Sequence, residues 1–597
     1  MRHFYVLPRP FDGGALFRPL CRMALAAAAL ASGAPAFAQQ APQLPTRTDL
    51  DRGEATPPPA APRLRVEGDI ERSPCALADP SYANIKLTLS DAVFNNLGPV
   101  DPAELRSTYA DYIGKELPIA TICEIRDAAA TILRAKGYLA AVQVPVQRIE
   151  SGVVTFEVLY AKVTTIRVLG DPGPNGALLE RYLERLTRGQ VFNRIEAERQ
   201  LLLARDIPGY DVRLSLRPAG TGAGEMVGEV RVVRTPVQAD FNVQNFGSRQ
   251  TGRFGGQLRA QFNGITGMGD RTIVALYSTA DFQEQQILQL SHDMFVGSDG
   301  LRVGGRFTYA WTKPDLGIPT PVKARTLFAS LEASYPFLRT QAASLRGAIG
   351  FDYVDQDVYL PGVPISQDHV RVAFARLDFD ALDVKGTGPG RTSGWRIAGS
   401  LEVRQGLSIF DSSPDCLKSV AFCANPANIP PSLFDGNPQA TVIRLSGVVD
   451  VKLTPAISFS LSPRAQIATS ALLAFEQYSA GSYTVGRGYD PGAVVGDHGA
   501  GFQAELRADG VRPLKGVNLL AQPFVFLDSA WVWDKNAAGD PYRLTSVGGG
   551  VRVNWDDRAR IDLIVAVPTH RPSVLAARGD TRVLLSVTTN LWPWGKN

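Results

Sequence analysis

The feature that most constrains the fold of this chain is a long series of strand-like segments, which runs from Pro236 to the C-terminus. Apolar and polar residues alternate within these segments, and turns rich in Gly, Asp, Asn and Pro separate them. In one segment Val303 and Phe307 fall on one face, whereas Arg302 and Arg306 fall on the other. A period of two residues indicates β-strands with one apolar and one polar face.

Two architectures accommodate such strands: a soluble sandwich that buries the apolar face, and a membrane barrel that turns this face to lipid. Arginines in mid-strand suit a wet lumen, and aromatic residues near strand ends, such as Trp311 and Trp533, suit the girdles of a membrane protein. The strand count is even, with starts near Asp240, Arg253, Arg271, Gln286, Leu301, Arg325, Ser344, Val370, Trp395, Thr441, Ser458, Gly501, Leu519, Arg543, Arg560 and Thr581. We therefore predict that residues 236–597 form a transmembrane β-barrel of 16 antiparallel strands.

For the region before the barrel, the sequence pattern predicts two α+β domains, residues 64–161 and 162–235. Each has the order β-α-α-β-β, which indicates a divergent internal repeat. Helix starts are marked by Asp101 with Glu104 and by Asn193 with Glu196, two pairs that match the capping box.

The N-terminus has the organisation of a secretory signal. Basic residues precede the apolar run Met23–Ser32, and small residues ending at Ala38 provide a cleavage site. The alternative, a membrane anchor, is disfavoured because the apolar run is too short to span a bilayer. We predict a signal peptide over 1–38 and an extended, flexible, Pro-rich leader over 39–63.

Cysteine usage agrees with export. Cys21 lies within the predicted signal, and the four remaining cysteines suggest two disulfides, Cys416–Cys423 and Cys75–Cys123, with free thiols as the alternative. The five histidines are scattered without ligand spacing, so we expect neither a metal site nor a cofactor. The net charge of +4 over 597 residues does not suggest nucleic-acid binding.

One connection stands out, the long loop over residues 471–500. Its Gly-rich centre consists of Val485, Gly486, Arg487, Gly488 and Tyr489. The glycines permit a tight tip, from which Arg487 projects a guanidinium that is suited to bidentate capture of a carboxylate. The alternative is an ordinary solvated loop.

The alternation of side chains along the barrel strands indicates a partner for Arg487. Val525 and Leu527 suit the lipid side of their strand, which places Phe526 and Asp528 in the lumen. Glu505, on the preceding strand, also takes a lumenal position. We predict that the loop folds into the barrel and that Arg487 pairs with Asp528, with Glu505 as the second candidate.

Taken together, these motifs make the mature chain resemble the two-partner secretion transporters, or haemolysin/adhesin secretion-activation proteins. Residues 485–489 resemble the arginine-bearing tip of the family's sixth external loop, and Phe526-Leu527-Asp528 resembles the wall motif that receives the arginine. Lys136-Gly137-Tyr138 resembles a turn of the family's first POTRA domain. The chain departs from the family at Ala530, where Gly is frequent, and in lacking a terminal Phe.

The resemblance implies a bacterial outer-membrane transporter that is not an enzyme, with two periplasmic POTRA domains and a β-rich exoprotein as its secreted partner. It also implies contact with outer-membrane lipid and with the barrel-assembly machinery during biogenesis. An incoming chain could add as a strand to an open sheet edge. We expect this edge at Asp211, Val212, Arg213, Leu214, Ser215 and Leu216. The alternatives are an assembly factor for other membrane proteins and a passive porin.

Overall fold

The computed structural model describes residues 46–50, 66–67 and 74–594, except for 150, 190, 318, 384–393, 514–515, 537–538, 540, 557 and 573–578. The predicted signal peptide, residues 1–38, lies outside the described residues. The first described element is a helical turn, α1 (Arg47–Leu50), and the second is a two-residue strand, β1 (Val66–Glu67).

The first α+β domain is built on the three-stranded sheet β3-β6-β5, with β2 and β4 forming a separate pair. Its elements are β2 (Lys86–Thr88), β3 (Asp91–Asn95), α2 (Pro102–Leu105), β4 (Glu116–Pro118), α3 (Thr121–Ala135), β5 (Ala140–Gln143) and β6 (Val153–Tyr160). As expected, the Asp101 side chain caps α2 by accepting from the Ala103 N–H at 2.9 Å. The helix that begins after Asp101 is one short α-helical turn, which two 3₁₀ turns follow.

The second α+β domain has the order β-α-α-β-β, which the first domain also shows once its separate β2–β4 pair is set aside. It comprises β7 (Lys162–Leu169), α4 (Gly176–Glu184), α5 (Arg194–Arg205), β8 (Tyr210–Pro218) and β9 (Glu225–Arg234). The strands form one sheet in the order β1-β8-β9-β7, and both helices pack on it through buried leucines such as Leu179 and Leu201. Asn193 caps α5 by accepting from the Ile195 N–H at 2.8 Å.

Within the described residues, sixteen antiparallel strands close into a barrel, which confirms the predicted fold class. They are β10 (Val237–Gln244), β11 (Gly255–Asn263), β12 (Arg271–Thr279), β13 (Gln285–Val296), β14 (Leu301–Thr312), β15 (Lys323–Arg339), β16 (Ala343–Leu360), β17 (Val363–Leu382), β18 (Trp395–Gly406), β19 (Thr441–Thr454), β20 (Ile457–Ala468), β23 (His498–Ala508), β24 (Leu519–Trp533), β25 (Tyr542–Trp555), β26 (Ala559–Pro568) and β27 (Arg582–Trp592). The strand expected near Val370 begins seven residues earlier, because β16 and β17 pair up to a tight turn at Pro361 and Gly362.

The two faces of the barrel wall differ as strand alternation predicts. Outward-facing Ile349 and Val525 are 66% and 58% exposed, whereas inward-facing Asp352 and Asp528 are fully buried. An apolar outer face around a polar interior is the arrangement of a membrane-spanning barrel. Within the described residues, no helix has the length and apolar character needed to cross a bilayer.

The second domain is docked against the turns at one end of the barrel. Arg339 donates two hydrogen bonds to the Asp206 carboxylate, at 2.8 and 2.7 Å, and the Gly269 N–H donates to Asn175 Oδ1 at 2.9 Å. Tyr182 packs edge-on against Phe295, and burial raises the pKa of its hydroxyl to about 12. This end of the barrel is therefore the end that faces the α+β domains.

Both predicted disulfides are present. Cys75 and Cys123 join the start of the first domain to α3, and Cys416 and Cys423 close a turn in the long connection after β18, which contains α6 (Val420–Cys423). Among the described side chains, no group of three or more His, Cys, Asp or Glu residues is arranged to hold a metal ion.

Candidate functional site

The loop between β20 and β23 folds back into the barrel lumen. It carries a short hairpin, β21 (Tyr478–Ala480) and β22 (Val494–Gly496), and its side chains are largely buried. Asp497 holds the base of the loop by accepting from the backbone N–H groups of Leu472 and Lys535, each at 2.8 Å. The hairpin pairs Tyr478–Ala480 with Val494–Gly496, so part of the backbone of this buried loop forms its hydrogen bonds within the loop.

The tip of this loop follows a backbone path that its glycines permit. Gly486 has φ +114°, which is unfavourable for a residue with a Cβ atom. A Cβ atom on Gly488 would lie 2.8 Å from Ser546 Cβ and 3.0 Å from Pro568 N, so this glycine permits close contact with the wall. Val485 is fully buried against Ala530 and neighbouring apolar residues.

Arg487 lies at the centre of what we call the tip cluster, which consists of Arg487, Glu505, Phe526 and Asp528. Its guanidinium donates to Asp528 through Nε at 2.9 Å and Nη2 at 2.6 Å, and through Nη1 to Glu505 Oε1 at 2.5 Å. The backbone N–H of Arg487 also donates to Asp528, at 2.9 Å. The guanidinium carbon lies 3.7 Å from the centre of the Phe526 ring. Charge-assisted bidentate bonds of this kind are among the stronger polar contacts in proteins.

Neighbouring groups complete the tip cluster. Glu505 also accepts from Arg507 Nε at 2.7 Å and from Arg552 Nη2 at 3.0 Å, so its charge is shared among three arginines. The Tyr489 hydroxyl lies 2.8 Å from the Thr545 carbonyl oxygen, to which it can donate. The structure thus brings together the sequence-predicted residues 485–489, Glu505, Phe526 and Asp528.

A second charged group, which we call the base cluster, was not predicted from the sequence. It consists of Arg47, Asp352, Glu402, Arg404, Arg444 and Glu476. Arg404 donates to both Glu476 oxygens, at 3.0 and 2.9 Å, and to Asp352 at 2.9 Å. Arg444 donates to Glu476 at 2.9 Å. The cluster therefore ties the first turn of the in-folded loop to β16, β18 and β19.

Arg47 brings the N-terminal segment into the base cluster. Its Nη1 atom donates to Asp352 at 3.0 Å, and Leu50 is buried among inward-facing side chains that include Phe328 and Val354. The prediction of an extended, flexible leader over 39–63 is therefore wrong for residues 46–50. These residues form α1 inside the lumen, because the barrel offers both a carboxylate and an apolar site.

The expectation of an open edge at β8 also needs correction. Val66 and Glu67 pair in parallel with Leu214 and Ser215, so part of this edge already carries a strand from the same chain. Backbone pairing of this kind depends little on sequence, and composition alone did not reveal it.

With the fold and this geometry established, comparisons identify the family. The model of the haemolysin secretion/activation protein family ShlB/FhaC/HecB matches residues 229–553, more than half of the chain. This chain belongs to that family. The model of the ShlB-type POTRA domain matches residues 87–160. Members are outer-membrane β-barrel transporters with periplasmic POTRA domains, so the docked end of the barrel faces the periplasm.

Individual proteins are also similar to this chain. A heme/hemopexin transporter protein, HuxB, from Haemophilus influenzae (strain 86-028NP) is 26% identical over 233 residues, which are 37% of this chain and 40% of HuxB. The match thus spans less than half the length of that relative. The structure of CdiB from Escherichia coli has a TM-score of 0.67 at 17% identity and covers 88% of this chain and 94% of its own. CdiB from Acinetobacter baumannii has a TM-score of 0.59 at 16% identity, covering 95% and 98%. Both likenesses show the shared fold.

Proposed function

We propose that this chain secretes a β-rich partner exoprotein across the outer membrane through its barrel. Family membership supports this function, and so do the polar lumen and the POTRA-type domain at the periplasmic end. The observation that carries the proposal is the tip cluster, in which a buried arginine anchors the in-folded loop to the wall. A barrel whose lumen is occupied by its own loop and by α1 must rearrange before it can pass a polypeptide.

The α+β domains supply the capture step in this proposal. An extended exoprotein segment adds to the edge of β8, over Asp211, Val212, Arg213, Leu214, Ser215 and Leu216. Because β1 already pairs with Leu214 and Ser215, the incoming segment has to displace it or extend beyond it. Backbone hydrogen bonds provide affinity there, and neighbouring side chains provide selectivity.

The proposal predicts that a β-rich exoprotein is encoded next to the gene for this chain, and secretion of that exoprotein tests it. The two proteins are produced together, and the exoprotein is measured in the medium and in the periplasm. Deletion of residues 64–235 should abolish secretion while the barrel still reaches the membrane. Secretion that persists after this deletion would contradict the capture step.

The same experiment separates the alternatives. Unchanged secretion in a strain without this chain, together with ion conductance by the purified barrel, would favour a passive porin. Loss of unrelated outer-membrane proteins from such a strain would favour an assembly factor.

Arg188→Ala serves as the control variant for the α+β domains and should secrete normally. This arginine of the second domain is largely exposed and pairs only with nearby Glu184 among the described contacts.

A further inference from the structure

The connection after β18 lies partly against the outer, lipid-facing side of the barrel. On β16, Ile349 and Phe351 face outward, and their inward neighbours Asp352 and Val354 are fully buried. On β17, Leu377 faces outward in the same apolar band. Phe351 pairs in register with Ala373. The next outward-facing pair, Tyr353 with Arg371, lies farther from the α+β domains and marks the end of the apolar band on that side.

Arg371 is an arginine on the outer face whose guanidinium is nevertheless buried. Its Nη2 lies 2.8 Å from Asp355, and its guanidinium stacks 3.5 Å from the centre of the Tyr353 ring. Its Nε donates to the Phe410 carbonyl at 3.0 Å. The side chain is thus neutralised and positions the backbone of the connection.

Two further hydrogen bonds hold residues 407–413 along β17. The Leu407 N–H donates to the Arg371 carbonyl at 2.7 Å, and the Ser413 N–H donates to the His369 carbonyl at 2.9 Å. Between these points the chain makes an excursion over the outer face. There the Phe410 ring packs edge-on against Phe351, at 6.1 Å between ring centres.

This conformation of the connection would be energetically unfavourable if the loop were surrounded by water. Phe410 and Asp411 have φ of +49° and +58°, a region that side chains with a Cβ atom disfavour. The ring of Phe410, held in this strained conformation, is still 68% exposed, and Ile409 beside it is 42% exposed. Water would favour neither the strain nor the exposure, whereas acyl chains would favour the exposed apolar surface.

We propose that residues 408–412 form an interfacial clip, in which Ile409 and Phe410 insert among the acyl chains of the outer leaflet. The occupant is membrane lipid because the clip is continuous with the lipid-facing band at Phe351. The exposed carboxylate of Asp411 lies next to it, towards the headgroup layer. Arg371 and His369 act as positioning residues, and the clip fixes the height of the barrel in the bilayer. This inference rests on the barrel and not on the proposed secretion function.

Tryptophan quenching in lipid vesicles tests the clip. Phe410→Trp and, independently, Ile409→Trp are introduced into the full chain, which is refolded into phosphatidylcholine vesicles containing brominated lipid. The fluorescence of the parent chain, which has seven tryptophans, is subtracted. Ile349→Trp, on the lipid-facing band, is the quenched control, and Val146→Trp, on a fully exposed residue of the first domain, is the unquenched control.

We expect both clip variants to be quenched, and more strongly by bromines near the headgroup than by bromines at the chain ends. Heat-modifiable mobility on gels verifies that each variant is folded, and either clip variant alone suffices for the test. Quenching no greater than that of Val146→Trp would overturn the proposal. The proposal would also be overturned if the tryptophan of the Phe410→Trp variant became shielded only when the exoprotein is added. That result would indicate a protein-binding surface.

Discussion

The tip and base clusters both anchor one loop to one barrel wall, yet they are built differently. The tip cluster uses a single loop arginine, Arg487, against two wall carboxylates. The base cluster uses a single loop carboxylate, Glu476, against arginines of the wall and of α1. The charges are reversed, and among the described residues only the base cluster involves the N-terminal segment.

This difference indicates a division of roles. In the tip cluster Asp528 accepts from the backbone N–H and from two guanidinium nitrogens of Arg487, whereas Glu505 accepts from one, so the loss of Asp528 removes most of this anchor. In the base cluster Arg404 contacts three carboxylates, so the loss of one leaves others in place. We expect the tip to determine whether the loop stays folded in, and the base to determine whether α1 stays with it.

The largest effect is expected for Asp528→Asn. The amide keeps the shape but removes the charge, leaving Arg487 with Glu505 alone, and breaking a buried ion pair costs roughly 3–5 kcal/mol. Secretion should fall to near background, measured as exoprotein in the medium. The control is Asp580→Asn, which changes a largely exposed carboxylate and should secrete normally. Normal secretion by Asp528→Asn would remove the tip cluster from the mechanism.

Glu476→Gln should have the next largest effect. Three arginines lose the carboxylate they face, but Asp352 and Glu402 remain, so we expect a cost of roughly 2–3 kcal/mol. Release of α1 should then expose the peptide bond after Arg47 to trypsin, which can be followed by mass spectrometry of the cleaved protein. Asp528→Asn, in contrast, should leave that bond protected. Equal cleavage in both variants would show that the two anchors act as one.

Arg47→Gln tests the base cluster from the other side. It removes the contact of α1 with Asp352 but leaves Arg404 and Arg444 on Glu476, so the loop should stay in place at a cost of about 1–2 kcal/mol. Conductance in planar bilayers should rise because α1 occupies part of the lumen. Arg188→Gln, on an exposed arginine, is the control. Unchanged conductance would mean that the remaining contacts of Leu50, its apolar packing and the hydrogen bond from Gln289 to its carbonyl oxygen, suffice to hold α1.

The two clusters also show what could be predicted from this sequence. The tip cluster could be predicted because the alternation of side chains along the strand places Asp528 in the lumen, and the Gly-rich segment identifies Arg487. Period-two alternation located the strands, and the mid-strand arginines, the aromatic residues near strand ends and the even strand count favoured a barrel over a sandwich. The base cluster joins residues far apart in the sequence, Arg47 and Asp352 among them, and Glu476 lies in no motif. Strand alternation places Arg404 and Arg444 on the lumenal face. Because buried cations need partners, these two arginines were the one sequence feature that pointed to lumenal carboxylates.

The smallest effect is expected for Phe526→Leu, which removes only the ring beneath Arg487. The ion pairs remain, so the loss should be about 0.5–1 kcal/mol, the range of a cation–π contact. Phe524→Leu is the matched control, because its ring lies 4.3 Å from the Arg552 guanidinium, which does not belong to the loop. The readout is the temperature at which the barrel loses its folded mobility on gels, together with secretion. A lower transition temperature for Phe526→Leu than for Phe524→Leu would show that the ring supports the loop anchor specifically. Equal shifts would show that the two rings contribute only to lumenal packing, and the tip cluster would then rest on its charges alone.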